Sequence, residues 1–155
     1  MPNDLHRLRP AELCVAQYLV RGLTNLEIAA ELGTSPATVN GHLGTIGRRF
    51  HASSRPARAH AVLASGQVRA SAATVPPAWF TEADKRLLSA LAIHDDTYAI
   101  AHAAGIAPAS TRRRIRDLVT KASADNDTHL IGLAHTWGMF EHAEGSSRVV
   151  SEVRR

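Results

Sequence analysis

Four arginines lie within five positions in the second half of the chain: Arg112, Arg113, Arg114 and Arg116. A guanidinium group is permanently charged and can pair with a phosphate or with the edge of a guanine. Region 79–143 as a whole carries slightly more acidic than basic residues, eight against seven, and four of the seven are these arginines. Because like charges on one helix repel each other, the cluster predicts a polyanionic partner; a solvated charged face is the alternative.

Residues for catalysis or metal binding do not occur in recognisable patterns. His94 is followed by Asp95 and Asp96, and His135 and His142 are two helical turns apart, but no Cys-x-x-Cys or His-Glu-x-x-His motif accompanies them. The sequence also lacks a nucleophile elbow and a phosphate-binding glycine loop. We therefore expect no enzyme, no metal site and no cofactor.

The elements that would position the arginines are helices, which predicts an all-α fold. In the first half, Pro10 opens a helix that ends at Gly22. Thr24 and Glu27 have the spacing of a capping box for a second helix, which Gly33 ends. A third helix has Ser35 as its cap and Pro36 as its first residue, and a fourth runs from about Pro56 to Ala64.

The second half repeats this plan without a gap, 72 residues later. Thr81 and Asp84 open its first helix, Asp96 caps the second and Pro108 opens the third. Its fourth helix is expected from about Thr128 to His142. Matching positions include Ile28 with Ile100, Gly33 with Gly105, Pro36 with Pro108, Leu43 with Ile115, and Ile46 with Leu118.

The repeat predicts two tandem four-helix helix-turn-helix units joined by a proline-containing linker. We place the first unit at residues 1–66, the linker at 67–78, the second unit at 79–143 and a polar, flexible tail at 144–155. Each unit is close to the lower size at which one core is self-sufficient. The units are therefore expected to lean on each other or on a dimer partner.

The first copy contains an ordered set of short motifs: Gly22-Leu23-Thr24-Asn25, Glu27-Ile28-Ala29, Leu32-Gly33, Ser35-Pro36-Ala37-Thr38-Val39, His42-Leu43, Ile46, Arg49 and Ser53-Ser54-Arg55. With these residues, Leu5 to Ser65 resembles the LuxR/GerE-type helix-turn-helix of bacterial transcription regulators. The second copy resembles the same family more faintly, since Asp125-Asn126-Asp127 replaces the Ser-Ser-Arg segment and Arg114 replaces His42.

The resemblance implies that the third helix enters the major groove of double-stranded DNA. Asn40 stands where the family usually has lysine, and an asparagine amide can bond an adenine edge, so we expect a different sequence preference. The expected DNA-binding residues are Thr34, Ser35, Ala37, Thr38, Asn40, Gly41, His42, Thr45, Arg48, Arg49 and Arg55 in the first copy and Ala109, Ser110, Arg112, Arg113, Arg114 and Arg116 in the second.

Three glycines in the third helix, Gly41, Gly44 and Gly47, have two interpretations. Gly41 and Gly44 could let the helix backbone approach the groove floor closely, or all three could leave a weak helix that orders on binding. Arg48, Arg49, Arg55 and Arg58 suit phosphate contacts.

The enlarged fourth helix of the second copy carries Leu130, Leu133, Trp137 and Phe140, which either close that copy's core or form a dimer surface. A homodimer through the fourth helices is therefore one expectation. RNA polymerase, a sigma factor or another regulator are the partners of an alternative, in which the chain is a protein-interaction module. A third possibility is an architectural protein that coats DNA.

Composition agrees with a nucleic-acid partner, because the 155 residues carry a net charge of +4. The single cysteine, Cys14, is expected as a small buried hydrophobe in a reducing compartment. The sequence shows no secretion signal and no membrane span, which predicts a cytoplasmic, nucleoid-associated protein. With no sensor region ahead of the first unit, regulation is expected through abundance, a partner or self-association.

Overall fold

The computed structural model describes residues 6–72 and 74–140, which form eight α-helices and contain no strand. The predicted all-α class is confirmed. The helices are α1 (Pro10–Leu19), α2 (Asn25–Leu32), α3 (Pro36–Phe50), α4 (Arg55–Ala64), α5 (Glu82–Ile93), α6 (Thr97–Ala104), α7 (Pro108–Lys121) and α8 (Asp127–Thr136).

The first four helices follow their local capping signals. Thr24 caps α2 by accepting the N–H of Glu27, and the Glu27 carboxylate accepts the N–H of Thr24 in return. Gly33 ends α2 with φ at +65°, a backbone conformation that favours glycine. Ser35 caps α3, whose first residue is Pro36. These predictions are confirmed, and α4 begins one residue earlier than expected.

The second four helices begin 72 residues after the first four. The starts of α5, α6, α7 and α8 each follow those of α1, α2, α3 and α4 by this interval. Left-handed backbone conformations recur at the same interval, in the pairs Gly33 and Gly105, His51 and Ser123, and Gly66 and Gly138. Helix starts and left-handed residues of the two groups therefore share one 72-residue spacing.

The last helix is shorter than the sequence predicts. α8 ends at Thr136, and Trp137 and Phe140 lie in the turns that follow it; His142 and the expected tail at 144–155 lie outside the described residues. Gly138 adopts φ of +71°, with its N–H donated to His135 and that of Met139 to Ala134. This is the Schellman arrangement that ends a helix, and the expected helix to His142 is wrong because Gly138 is its terminating glycine.

Cys14 is exposed, contrary to the expectation of a buried thiol. The buried stripe of α1 consists of Glu12, Val15, Ala16 and Leu19, which are three or four residues apart. Cys14 lies off this stripe. Glu12, which the sequence interpretation did not place in the core, is part of the stripe instead.

One hydrophobic core runs through both groups of helices. α3 packs against α1 and α2, and α7 packs against α6. α4 lies between the two groups because it packs against both α8 and α5. Leu19, Ile28 and Leu43 from the first group and Leu88 and Ile131 from the second are among the fully buried side chains of this core.

The segment between α4 and α5 is packed against the helices along part of its length. Val68 is only 4% exposed and joins the core. The Gln67 amide accepts the N–H of Leu8 and donates to the carbonyl of His6. Further along, the N–H of Thr74 donates to the carbonyl of Thr136 at 2.7 Å. The connection is thus anchored to both groups of helices.

Two glycines let α8 approach the first group at backbone distance. A Cβ atom on Gly132 would overlap the carbonyl oxygen of Val20, and one on Gly22 would overlap the side chain of His129. The Asn126 amide, which begins α8, donates to the carbonyl of Gly22 at 2.7 Å. The end of α1 and the beginning of α8 are therefore fitted to each other at close range.

A pair of histidines joins α4 to α8. His60 Nδ1 and His135 Nε2 are 2.9 Å apart, and the ring of Phe140 lies 4.6 Å and 4.5 Å from the two imidazole centres. Burial lowers the pKa of His60. Burial and the neighbouring His60 lower the pKa of His135 to about 4. Both rings are therefore neutral in the folded chain at pH 7.

Replacing Gly132 by alanine should destabilise the fold, because the new methyl group must displace the carbonyl of Val20. We expect the free energy of unfolding to fall by about 1–3 kcal/mol. Gly41→Ala is the matched control, since a Cβ there meets open space. That variant should gain about 0.5–1 kcal/mol, because alanine favours a helix interior over glycine. Urea unfolding measures both, and a neutral Gly132→Ala would contradict the close approach.

Acidification should weaken the packing of α4 on α8. The unfolded histidines bind protons near pH 6.5 while folded His135 does so near pH 4, so the unfolded state holds more protons between these values. Stability is then present above pH 6.5 and is lost as the pH falls through this window. After allowance for partial exposure, we expect a loss of about 1 kcal/mol from pH 7 to pH 5.

Urea midpoints at the two pH values measure this loss. His135→Gln should reduce it, whereas His102→Gln, at an exposed position of α6, should leave it unchanged. Equal losses in wild type and His135→Gln would show that other groups carry the pH dependence.

Candidate nucleic-acid interface

Helix α3 has one buried and one solvent-facing side. Val39, Leu43 and Ile46 are buried at four-residue and three-residue steps. The opposite face carries the expected DNA-binding residues of this helix. Thr34, Ser35, Ala37, Thr38, Asn40, Gly41 and Arg48 are exposed, and His42 and Thr45 are half-buried.

The hydroxyl groups of this face have partners within the helix. Ser35 Oγ accepts the N–H of Thr38 and lies 2.9 Å from the Thr38 hydroxyl. The Thr45 hydroxyl donates to the carbonyl of Gly41 and accepts from Arg48. Asn40 is exposed, and no side-chain hydrogen bond to another described residue occupies it. Its amide is thus presented to solvent with donor and acceptor available.

The three glycines of α3 have different surroundings. A Cβ on Gly41 would meet nothing within 4 Å, and one on Gly44 would touch only the Arg48 side chain. Gly47 is buried, and a Cβ there would overlap the carbonyl of Ala52 and the Arg58 side chain. Gly47 therefore serves the turn between α3 and α4, a packing reason that neither sequence interpretation contained.

Arg49 and Arg55, which the sequence predicts to contact DNA phosphates, bind other residues of the same chain. Arg49 Nε lies 3.2 Å from the carboxylate of Glu12, which is 4% exposed, so the pair fastens α3 to α1. Arg55 donates to Asn25 Oδ1 and to the carbonyl of Leu23, which fastens α4 to the start of α2. Burial, followed by the charge of Arg58, lowers the pKa of Arg55. Both side chains support the scaffold, and their contact with phosphate stays a prediction.

Helix α7 turns its arginines outward. Thr111 and Leu118 are buried, and Ile115 is half-buried between them. On the other side Ala109, Ser110, Arg112, Arg113 and Arg116 are exposed, and Arg114 is half-buried. None of the four arginines forms an ion pair with another described residue. Asp117 is the one carboxylate within this helix, and it is also exposed, so the outer face keeps a net positive charge.

Asp95 links the two groups of helices, a role that the sequence interpretation missed. Its carboxylate accepts the N–H groups of Ser53 and Ser54, each at 3.0 Å, at the turn between α3 and α4. Burial acts to raise the pKa of Asp95, but the N–H groups of Ser54 and Ser53 hold it below its ordinary value. No local signal identifies this bond, because the partners are 41 and 42 residues apart.

The residues expected at a dimer surface contact other parts of the same chain. Leu130 is fully buried and Leu133 is half-buried. The Trp137 ring lies 5.5 Å from Phe80 and 6.4 Å from Trp79, and Phe140 packs on the histidine pair. Leu130, Trp137 and Phe140 therefore serve internal packing, whereas Leu133 lies on the wall of an open cleft.

No helix of the described residues has the length and apolar character needed to cross a bilayer. Among the same residues, no three side chains of histidine, cysteine, aspartate or glutamate come together as metal ligands.

Arg49→Gln should destabilise the fold, because it leaves the buried Glu12 carboxylate without its cation. We expect a loss of about 2 kcal/mol in the free energy of unfolding. Arg48→Gln removes the neighbouring charge at an exposed position and should change stability by less than about 0.5 kcal/mol. Chemical denaturation of the two variants at pH 7 compares them, and equal effects would argue against a structural role for Arg49.

The comparisons with known proteins identify the first group of helices. Residues 7–62 match the GerE family model, described as bacterial regulatory proteins of the luxR family. No curated protein and no solved structure matches the chain. The match covers α1 to α3 and most of α4, which includes the whole exposed face of α3. Residues 7–62 are therefore similar to the helix-turn-helix domain of the luxR family, and this similarity indicates DNA-binding transcription regulation.

Proposed function

We propose that this protein regulates transcription by binding DNA through two tandem helix-turn-helix units, with α3 reading the major groove. The observation that carries the proposal is the solvent-facing side of α3, where an unoccupied asparagine amide lies beside two glycines inside the segment that matches the luxR family. A bidentate amide can discriminate adenine from other bases. The open space over Gly41 would let the helix backbone come close to the groove floor.

The second unit is proposed on the basis of the repeated backbone. Four helix starts and three left-handed residues recur at a 72-residue interval. Two unrelated groups of four helices would not share one interval at so many positions. We place the units at residues 1–66 and 79–143, joined by 67–78. The family match itself covers only the first of them.

α3 and α7, the third helices of the two proposed units, differ in the chemistry of their outer faces. At the 72-residue interval, Arg112 stands in the place of Asn40, Arg113 in that of Gly41, and Arg116 in that of Gly44. Glycines permit close approach, whereas long arginine side chains reach phosphates from a greater distance. We therefore assign base readout to α3 and mainly phosphate contact to α7, with Ala109 and Ser110 at its beginning.

A single chain supplies both third helices in this proposal. The fourth helices, α4 and α8, pack against each other inside one chain through the histidine pair and the core residues around it. This packing covers the surfaces that a homodimer through the fourth helices would use. The chain would then bind DNA as a monomer with two unequal reading surfaces.

The alternative of a protein-docking module is favoured by one observation. Leu26 and Tyr98 are 71% and 75% exposed, and they occupy the same position of α2 and α6 at the 72-residue interval. Large apolar side chains at matching exposed positions are suited to a protein partner such as RNA polymerase or another regulator. This alternative predicts that binding to the protein partner depends on Leu26 and Tyr98 and does not depend on the α7 arginines.

Selection from a random DNA library, followed by mobility shifts on the enriched duplex, tests the proposal. Affinity should fall steeply with salt, because phosphate contacts release counterions. Asn40→Ala should reduce discrimination at one base position by about 1–3 kcal/mol and leave the salt dependence unchanged. A salt-insensitive complex, or no enriched sequence, would argue against DNA reading.

A triple variant examines α7 separately. Replacing Arg112, Arg113 and Arg116 by glutamine should reduce the slope of log affinity against log salt by about 2–3 and shorten the DNA footprint. The control variant removes the same charge elsewhere, at the exposed residues Arg7, Arg9 and Arg86, and should change the slope much less. Equal effects of the two variants would show that α7 contributes to DNA binding only through the net charge of the protein. Sedimentation of the wild-type complex should show one chain per site.

A further inference from the structure

The hydrogen bonds between the two groups of helices form a reciprocal pair. At the 72-residue interval Asn126 corresponds to Ser54, and each residue caps the helix that follows it, α8 or α4. The Asn126 amide donates at 2.7 Å to the carbonyl of Gly22, shortly after α1. In the opposite direction, the N–H of Ser54 donates at 3.0 Å to Asp95, shortly after α5. Each of these two helices therefore begins against the end of a helix of the other group.

The packing of the helices shows the same reciprocity. At the 72-residue interval, α5 corresponds to α1 and α8 corresponds to α4. α4 packs against α5, and the reverse contact is made by α8 at the end of α1, where the backbone of Gly132 lies against the carbonyl of Val20. The same pair of surfaces is therefore used twice, once in each direction.

The reciprocal contacts converge where α4 meets α8. His60 Nδ1 lies 2.9 Å from Nε2 of His135, the residue that corresponds to Leu63. The reverse pair is Leu63 with Gly132, which corresponds to His60, and these two residues line the same cleft. The centre of the reciprocal interface therefore lies between positions 60 and 63 of α4 and between the matching positions of α8.

Reciprocal contacts are typical of an isologous interface, in which a two-fold axis relates two similar bodies. In a head-to-tail arrangement Gly22 would meet Asn126, but Ser54 and Asp95 would remain apart on the outer ends. Both bonds are present in this chain. The two groups are therefore related by an approximate two-fold axis through the contact of α4 with α8, and none of the contacts named above uses α3 or α7.

We infer that the DNA site of this chain consists of two half-sites in inverted orientation, of which only one is read base by base. This inference rests on the DNA-binding function proposed above. A protein with two-fold symmetry meets half-sites that are inverted, whereas a direct repeat requires head-to-tail units. Because arginines on α7 correspond to Asn40 and to the glycines of α3, the two halves are unequal, and the chain binds its site in one direction.

Spin-label distances test the two-fold relation without DNA. Glu31 corresponds to Ala103 and Ala37 to Ala109, and all four residues are exposed. Cysteines for labelling are introduced in a Cys14→Ser chain, one at each of two positions. The label pair at 31 and 109 and the label pair at 37 and 103 should give the same mean distance, because a two-fold axis exchanges them. Clearly different mean distances would overturn the two-fold relation.

Affinity cleavage measures the orientation on the duplex that selection enriches. An iron chelate is attached in the Cys14→Ser chain at Ala37→Cys of α3 or, as the matched position, at Ala109→Cys of α7. The two labels should cut at places that are related by inversion, with the strands exchanged. Cuts that repeat with the same strand polarity, shifted along the duplex, would overturn the inverted site. Cleavage by neither label would overturn the proposed DNA binding as well, while the spin-label distances still decide the two-fold relation.

A graft turns the orientation into a sequence. The outer residues of α7 are replaced by those of α3, with Ser110→Thr, Arg112→Asn, Arg113→Gly, Arg114→His, Arg116→Gly and Asp117→Thr. Selection with this variant should enrich a second copy of the α3 half-site in inverted orientation, about 10 base pairs from the first. A second copy in direct orientation would overturn the inference.

The glutamine triple variant described above is the control for the graft. It removes the same arginine charges without supplying the residues of α3, so it should enrich a single half-site. Two new glycines weaken α7, and circular dichroism shows whether the graft folds. Should it not fold, the cleavage experiment decides the orientation, because it keeps the arginines of α7.

Discussion

The close approach of α8 to the end of α1 is the constraint on which the rest of the structure depends. It brings the backbone of Gly132 against the carbonyl of Val20 and leaves no space for a side chain at that point. The same approach places the Asn126 amide on the carbonyl of Gly22 and brings His135 to His60. Neither group of helices has a large core alone, and their shared core exists because the backbones meet at this short distance.

Besides the shared apolar core, several polar and directional contacts join the two groups. The Asp95 carboxylate accepts two backbone N–H groups, and the ring nitrogens of His60 and His135 lie 2.9 Å apart. The N–H of Thr74 donates to the carbonyl of Thr136. Apolar packing supplies free energy with little orientational preference, whereas hydrogen bonds need a defined angle and distance. Such contacts favour one relative orientation of α3 and α7, which the proposed binding of two neighbouring sites on a duplex would require.

Local signals made most helix boundaries predictable. Thr24, Ser35 and Asp96 bind backbone groups within three residues of themselves, so their roles can be derived from the sequence alone. Long-range pairings could not be derived in this way. Glu12 meets Arg49 across 37 residues and Asn126 meets Gly22 across 104, and nothing in either neighbourhood indicates the other. The exposed faces of α3 and α7 followed from helical periodicity, but the internal use of Arg49 and Arg55 depended on such distant partners.

The pairing of α4 with α8 inside one chain has a consequence for gene dosage. A regulator that must first associate with a second copy occupies its site with a steep dependence on concentration, because assembly and binding are coupled. In the function proposed above, the second reading surface arrives on the same chain, at a fixed effective concentration. Site occupancy would then follow a simple hyperbola in protein concentration, so that a graded change in expression gives a graded response and no threshold.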